Sequence, residues 1–271
     1  MTLKLVLVGC GNMGFAMLSG WLESGKLKAA EVFVVEPDEA LRKRAAELGV
    51  KTGSTADDLA PASNPEIILI AVKPQVIREV LASYRQFGSA GTTFISIAAG
   101  TPIKTFEEIL GANTPVLRCM PNTPAAIGKG MMVLYGNAHV TAEAQATIED
   151  LLSASGEVAR IGSEGLMDAV TAVSGSGPAY IFHFIECLTK AAETAGLAPD
   201  TARLLAMQTV YGAASLAAET RRDPAELRRQ VTSPNGTTAA ALDVFMGGDK
   251  LQNLVTEAVE AARRRSVELG S

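Results

Sequence analysis

Chemistry concentrates in two short stretches of this chain. The first is Val231-Thr232-Ser233-Pro234-Asn235-Gly236-Thr237-Thr238, a turn of hydroxyls, Pro and Gly that opens onto the Ala-rich run Ala239-Ala240-Ala241. A helix start leaves its first N–H groups without intrahelical partners and favours negative charge. The junction therefore reads as a seat for a small carboxylate, or as an ordinary N-cap, where Ser and Thr are favoured in any protein. The second stretch is Gly9-Cys10-Gly11-Asn12-Met13-Gly14, set between the apolar run Leu3–Val8 and a helix-forming segment. That is the context a dinucleotide fingerprint requires. Gly9 permits the tight turn, Gly11 lets backbone approach a pyrophosphate, and Gly14 lets helix and strand pack closely. Together the two stretches point to a reductase acting on a small anion.

These residues need a scaffold, and the first half of the chain supplies one by alternating strand and helix. Strands are expected at Leu3–Val8, Val32–Val35, Ile67–Val72, Thr93–Ala98, Val116–Met120 and Met131–Tyr135. Helices are expected at Phe15–Ser24, Glu39–Leu48 and Val76–Tyr84. The alternation predicts an α/β Rossmann-type domain, a parallel sheet covered on both faces. After about Gly162 only helices are convincing: Val170–Gly196 with an early break at Gly175-Ser176-Gly177-Pro178, then Pro199–Glu219, Pro224–Val231, Thr237–Phe245 and Lys250–Leu269. The expected organisation is a dinucleotide-binding domain over 1–163 and an all-α domain over 164–271. Alanines at Ala191-Ala192, Ala213-Ala214, Ala217-Ala218 and Ala239–Ala241 allow close helix approach. The helical part holds too much apolar surface for its size. A two-fold dimer of interleaved helices buries it more economically than a bundle packed on the first domain.

Ligands in such sheets lie at the carboxyl ends of strands. Glu36 ends the second expected strand. Its carboxylate can accept from the ribose hydroxyls of NAD and would repel a 2′-phosphate, which leans towards NADH. The alternative is a solvent-facing Glu in the Glu36-Pro37-Asp38 turn, with Arg42 or Lys43 free to reach a phosphate. Ala71-Val72-Lys73-Pro74 and Ala98-Ala99-Gly100 end further strands, and their small residues let a cofactor pass. Lys73 can touch ribose or phosphate, or be a surface lysine before a turn.

Composition excludes several classes. A net charge of −5 gives no general attraction to nucleic acid or anionic lipid. Cys10, Cys119 and Cys187 are scattered, and with only His139 and His183 available neither a disulfide framework nor a metal site is expected. No signal peptide or membrane-length apolar run is visible, so the expected location is the cytoplasm.

Five segments resemble one family, the pyrroline-5-carboxylate reductases: Gly9–Gly14, Ala71–Gln75, Met120-Pro121-Asn122-Thr123-Pro124, Val173-Ser174-Gly175-Ser176-Gly177-Pro178-Ala179-Tyr180, and Pro224–Leu242. The resemblance implies reduction of 1-pyrroline-5-carboxylate to L-proline with NADPH or NADH, the final step of proline synthesis. It also implies a helical dimerisation domain, and often larger homo-oligomers built from dimers. It places the substrate carboxylate on Ser233, Gly236, Thr237 and Thr238, with Thr238 near the ring nitrogen. The acidic position matching Glu164 lies near substrate in some relatives, though the local match Gly162-Ser163-Glu164-Gly165 is loose. Gln230 departs from an Asn that meets the cofactor in some members. Asn235 replaces a Gly, which suits a backbone with φ > 0.

Reducing a cyclic imine adds hydride to carbon and a proton to nitrogen. A protonated C=N is already a strong electrophile, so the protein needs to supply position and field more than a strong acid. A hydroxyl such as that of Thr238 can orient the nitrogen and relay a proton from water. Asn122 and Thr123 would shape a strand end facing the nicotinamide, or form only a rigid turn. Ser174–Pro178 would start a long helix beneath the substrate, or let two helices pack. His183 reads as a helix residue and Cys10 has no redox role. A β-hydroxyacid dehydrogenase shares the two-domain plan but needs a base, a lysine four residues after its second Gly, where this chain has Ile181 after Gly177. A deazaflavin reductase and a non-catalytic NAD(H)-binding regulator are the remaining alternatives.

Overall fold

Short β-branched runs dominate the first half of the chain, and they assemble into one sheet. The computed structural model describes residues 3–60, 63–88 and 90–270; the outer limits of the two expected domains, Met1 and Ser271, lie outside these. Among the described residues the strands are β1 (Leu5–Val8), β2 (Val32–Val35), β3 (Lys51–Gly53), β4 (Ile67–Ile70), β5 (Thr93–Ser96), β6 (Val116–Met120), β7 (Gly130–Gly136) and β8 (Gly156–Arg160). Their spatial order is β3-β2-β1-β4-β5-β6-β7-β8. Chain order reverses between β1 and β4, which is the switch point of a doubly wound sheet. The registers Val8↔Val35, Val8↔Ile70 and Ile70↔Ser96 bring the carboxyl ends of β2, β1, β4 and β5 level.

One expectation about the sheet needs correction. β7 runs antiparallel to β6, with Met120 opposite Val133. The connection between them holds only a 3-10 stretch, Thr123–Ile127, too short for the crossover a parallel return needs. The other pairings are parallel. Two expected strands are also shorter than read: β4 stops at Ile70 and β5 at Ser96, so Ala71-Val72 and Ile97-Ala98 belong to the loops that follow.

The helices of this half are α1 (Asn12–Glu23), α2 (Glu39–Ala46), α3 (Ile77–Ala82), α4 (Ile103–Leu110), α5 (Ala142–Leu152) and α6 (Met167–Val170). Alternation along each strand divides the core between the faces of the sheet. Leu5, Leu7, Leu69 and Ile95 pack with Met17, Leu18 and Trp21 of α1 and Ile148, Leu151 and Leu152 of α5. Val6, Val8, Ile68 and Phe94 pack with Ile77 and Leu81 of α3 and Ile103, Phe106 and Leu110 of α4. Both faces are therefore covered, as a parallel sheet requires.

Beyond α6 a π-helical turn, Thr171–Gly175, precedes α7 (Gly177–Thr194), α8 (Pro199–Thr220), α9 (Pro224–Gln230), α10 (Thr237–Met246) and α11 (Lys250–Leu269). The chain divides into two compact units, Met1–Ser176 with Ala262–Ser271, and Gly177–Ala261. In the second unit α7 packs against α8, yet Ala202 and Ala206 are its only fully buried apolar residues. Phe182, Leu204, Tyr211, Val244 and Leu254 are all more than half exposed. No helix among the described residues is long and apolar enough to cross a membrane.

Candidate active site

Each glycine of the opening fingerprint has its own steric reason. Gly9 adopts φ +91°, and a Cβ there would lie 2.7 Å from the Ala71 carbonyl oxygen. A Cβ on Gly14 would lie 2.5 Å from the Gly9 carbonyl oxygen, where helix meets turn. A Cβ on Gly11 would meet nothing within 4 Å. Gly9 and Gly14 thus serve packing, whereas Gly11 borders open space into which its bare backbone faces. Gly11 is the N-cap of α1, with no side-chain cap and no acidic residue in the first turn. The N–H groups at Asn12, Met13 and Gly14 therefore start a helix whose positive end lacks any carboxylate of its own, and a pyrophosphate fits there. Ala71 and Val72 close over this turn: the Ala71 Cβ would lie 3.4 Å from a Gly14 side chain and Val72 Cγ1 3.0 Å from a Gly9 one.

Glu36 is not the solvent-facing turn residue of the alternative reading, since only 6% of it is exposed. Its Oε2 accepts from Cys10 N–H at 2.6 Å and its Oε1 from Asp38 N–H at 3.0 Å. The carboxylate at the end of β2 is thereby tied to the glycine turn at the end of β1. Arg44 holds the other side of the same turn. Its guanidinium donates to the Cys10 carbonyl at 3.0 Å and lies 4.0 Å over the Phe15 ring. Nothing in the sequence flagged Arg44, because its partner is a backbone oxygen 34 residues away. Arg42 is also committed, donating to the Glu36 and Pro37 carbonyls at 2.8 and 2.9 Å. The Cys10 thiol is fully buried, and burial pushes its pKa up to about 11, with Arg44 opposing and Glu36 adding. A protonated thiol in the core is not a nucleophile.

The remaining loops gather at the same edge of the sheet. Lys73 is exposed and precedes the 3-10 turn Pro74–Val76. Ala98 is buried, Ala99 half-buried, and Gly100 takes φ +70°. Asn122, just past β6, works as a brace. Its Oδ1 accepts from Met131 N–H at 2.9 Å and its Nδ2 donates to the Ser174 carbonyl at 3.2 Å. That bond joins the β6 end to the π-helical turn, a distortion frequent at functional sites. Glu164 is only part-exposed, and its Oε1 accepts both from Arg118 at 2.8 Å and from the Ile103 N–H that begins α4 at 2.8 Å. Arg118, with a side chain 7% exposed, was also not foreseen; it lies on a strand and reads as a break in an apolar run.

In the helical unit, Ser233–Gly236 turns tightly, with Gly236 N–H donating to the Ser233 carbonyl at 3.0 Å. Asn235 has φ +57°, the left-handed backbone its side-chain type tolerates. Gly236 is the N-cap of α10, and no side chain caps that helix. The ordinary N-cap reading of this Ser/Thr cluster therefore fails. The first-turn N–H groups and the hydroxyls of Ser233, Thr237 and Thr238 remain for something else. His183 pairs with Glu186 at 3.0 Å along α7 and is largely exposed. Among the described residues no group of three or more His, Cys, Asp or Glu side chains is placed to hold a metal ion.

Both halves of the chain are similar to known proteins. Residues 164–269 match the family model for pyrroline-5-carboxylate reductase dimerisation. Residues 4–100 match a family described as NADP oxidoreductase, coenzyme F420-dependent, which covers the nucleotide half alone. The chain is 40% identical over 270 residues to pyrroline-5-carboxylate reductase from Pseudomonas aeruginosa, spanning 99% of this chain and 97% of that protein. It superposes on a pyrroline-5-carboxylate reductase from Coxiella burnetii with a TM-score of 0.93 at 34% identity, covering 100% of both chains. The pyrroline carboxylate reductase of Plasmodium falciparum, solved with NADP bound, gives a TM-score of 0.85 at 30% identity over 99% of this chain and 98% of that one. These matches run the length of both halves, and the chain belongs to the pyrroline-5-carboxylate reductase family.

Proposed function

We propose that this enzyme reduces 1-pyrroline-5-carboxylate to L-proline at the expense of NAD(P)H, the final step of proline biosynthesis. The observation that carries the reading is the uncapped start of α10, a ring of hydroxyls and free N–H groups in a family member with an intact dinucleotide turn. The nicotinamide cofactor supplies the hydride. Gly9–Gly14 hold its pyrophosphate, Glu36 faces its ribose, and Ala71–Pro74 with Ala98–Gly100 line its path. Ser233, Gly236, Thr237 and Thr238 seat the substrate carboxylate, with the positive end of α10 compensating its charge. Thr238 orients the ring nitrogen and relays a proton to it from water, a modest contribution because the imine is already activated. Glu164, with Oε1 held by Arg118 and Ile103 N–H, is assigned to the substrate as well.

Residues 1–163 act as the dinucleotide-binding domain and 164–271 as the dimerisation and substrate domain. The near absence of a private core in Gly177–Ala261 supports a homodimer that buries the exposed faces, with larger assemblies built from it. The enzyme works in the cytoplasm. The test is steady-state nicotinamide oxidation with 1-pyrroline-5-carboxylate, with NADH and NADPH in parallel. Imine-dependent oxidation with stoichiometric proline is expected. Nucleotide binding without turnover would instead make the protein a cofactor-binding regulator.

A further inference from the structure

We propose that the last turn of the chain, Ser266–Gly270, is a positioning element for the Ala98–Gly100 loop. The inference rests on the reading that this loop lines the cofactor path. α11 belongs to the helical unit only as far as Ala261; from Ala262 onward the chain is part of the nucleotide-binding unit. Ser266 is the one buried residue of α11, and it is polar. Its hydroxyl donates to Asp168 Oδ1 at 2.6 Å. Four residues on, backbone meets backbone. A Cβ on Gly100 would lie 3.2 Å from both Gly270 N and Leu269 C, and a Cβ on Gly270 would lie 2.5 Å from the Gly100 carbonyl oxygen. Gly100 also sits at φ +70°, so its conformation and its neighbour both require glycine.

This contact is a device for holding a loop still. The Ala98–Gly100 turn leaves β5 at the switch-point edge, where backbone that wanders must be ordered whenever a ligand binds. Leu269 and Gly270 abut it on one side. Through Asp168 the same turn is anchored to α6, which continues into the π-helical segment whose Ser174 carbonyl accepts from Asn122. A Cβ on Gly175 would lie 3.4 Å from Met120 Sδ, so this segment is packed directly on the end of β6. Ser266–Gly270 therefore restrains two neighbouring loops.

The test measures cofactor affinity without turnover, by fluorescence titration of NADH and NADPH into imine-free enzyme, alongside KM values for cofactor and imine. Gly270→Val drives a side chain into the Gly100 carbonyl, and truncation after Arg265 removes the turn. Both should weaken cofactor binding about fivefold or more, raising KM for the cofactor and leaving KM for the imine unchanged. Asp168→Ala should do the same, and Asp168→Asn, whose side-chain oxygen still accepts the Ser266 hydroxyl, should restore affinity. A purely structural role would lower the melting temperature of these variants without moving cofactor affinity, and that result overturns the proposal. If the truncated chain does not fold, Gly270→Val and the Asp168 pair decide. Wild-type enzyme that binds neither nucleotide would overturn the cofactor reading itself. Wild-type binding matched by Gly270→Val overturns only the role of the chain end.

Discussion

Replacing Glu36 separates the anchoring that its carboxylate performs from the ribose contact proposed for it. Its Oε2 receives the buried Cys10 N–H at 2.6 Å and its Oε1 the Asp38 N–H at 3.0 Å. A hydrogen bond to a charged acceptor contributes about 1.5–3 kcal/mol, and stranding a buried N–H costs about 1–3 kcal/mol. Glu36→Ala removes both acceptors and leaves Cys10 N–H buried without a partner, a loss of about 2–3 kcal/mol. In a chain this size each kcal/mol moves the melting temperature by about 2–4 °C, so a fall of about 4–12 °C is expected. Glu36→Gln keeps one side-chain oxygen for Cys10 N–H but turns an amide nitrogen towards Asp38 N–H. Its loss should be roughly half as large.

The proposed ribose contact depends on charge. A carboxylate accepts from ribose hydroxyls and repels a 2′-phosphate, so wild-type enzyme should favour NADH. Both substitutions remove the charge and should raise the ratio of kcat/KM for NADPH over NADH about tenfold, or ~1.4 kcal/mol. Melting temperature at fixed protein concentration should therefore rank wild type above Gln above Ala, whereas cofactor selectivity should group Gln with Ala. Equal melting temperatures for Ala and wild type would refute the anchor. An unchanged cofactor ratio in the Gln variant would refute the ribose assignment and leave the anchor standing.

Thr238→Ala should lower kcat about 10- to 100-fold while cofactor affinity stays at the wild-type value, and wild-type turnover would remove the hydroxyl from the mechanism. Acid stability follows three carboxyls held below their ordinary range: Asp58 by the Thr55 and Ser54 N–H groups, Glu31 by the Lys28 N–H and then Lys4, Glu149 by Arg160. A depressed folded-state pKa gives stability that is present above the unfolded value and lost as pH falls through the folded one. Melting temperature should thus be flat down to about pH 5 and decline below about pH 4. Asp58→Asn should shallow that decline; an acid limb of unchanged slope would show that its caps are not what titrates.

The fold was legible wherever local chemistry matched its environment. β1 and β4 are buried on both faces and read as continuous apolar runs. The helical half was legible from its breaks: Pro199-Asp200 begins α8, Asp223 caps α9 through Ala225 and Glu226 N–H, and Gly248 at φ +65° separates α10 from α11. β3 and β8 escaped notice because they lie at the two edges of the sheet. Lys51-Thr52-Gly53 carries no apolar run, and Gly156–Arg160 has no buried residue. α5 was missed because its first half is Ala- and Glu-rich and only Ile148, Leu151 and Leu152 bury. α4 bears a clear stripe of Ile103, Phe106 and Leu110, but it follows a strand whose expected end ran past Ser96. Periodicity also cannot say which partner a helix finds, so the return of α11 to the nucleotide-binding unit left no trace beyond one buried serine.

The glycines and hydroxyls of the candidate site stood out in the sequence and the partners of its charged side chains did not, for one physical reason. Residue types announce what a side chain can do, not whether a nearby backbone group claims it first. Glu36 read as a ribose ligand, and its oxygens also hold Cys10 and Asp38 N–H. Glu164 looked like a substrate neighbour, and it starts α4 through Ile103 N–H while pairing with Arg118. Asn122 looked like a turn residue, and it braces Met131 and Ser174. The polar side chains around the switch point satisfy loop backbone, and the starts of α1 and α10 have no side-chain cap. Backbone donors on a helix end have no pKa near neutrality and cannot swing away. An enzyme whose substrate is already electrophilic needs donors that stay fixed more than it needs a strong acid. Fixed backbone donors at helix starts, with polar side chains bracing the loops beside them, therefore suit the chemistry proposed for this enzyme.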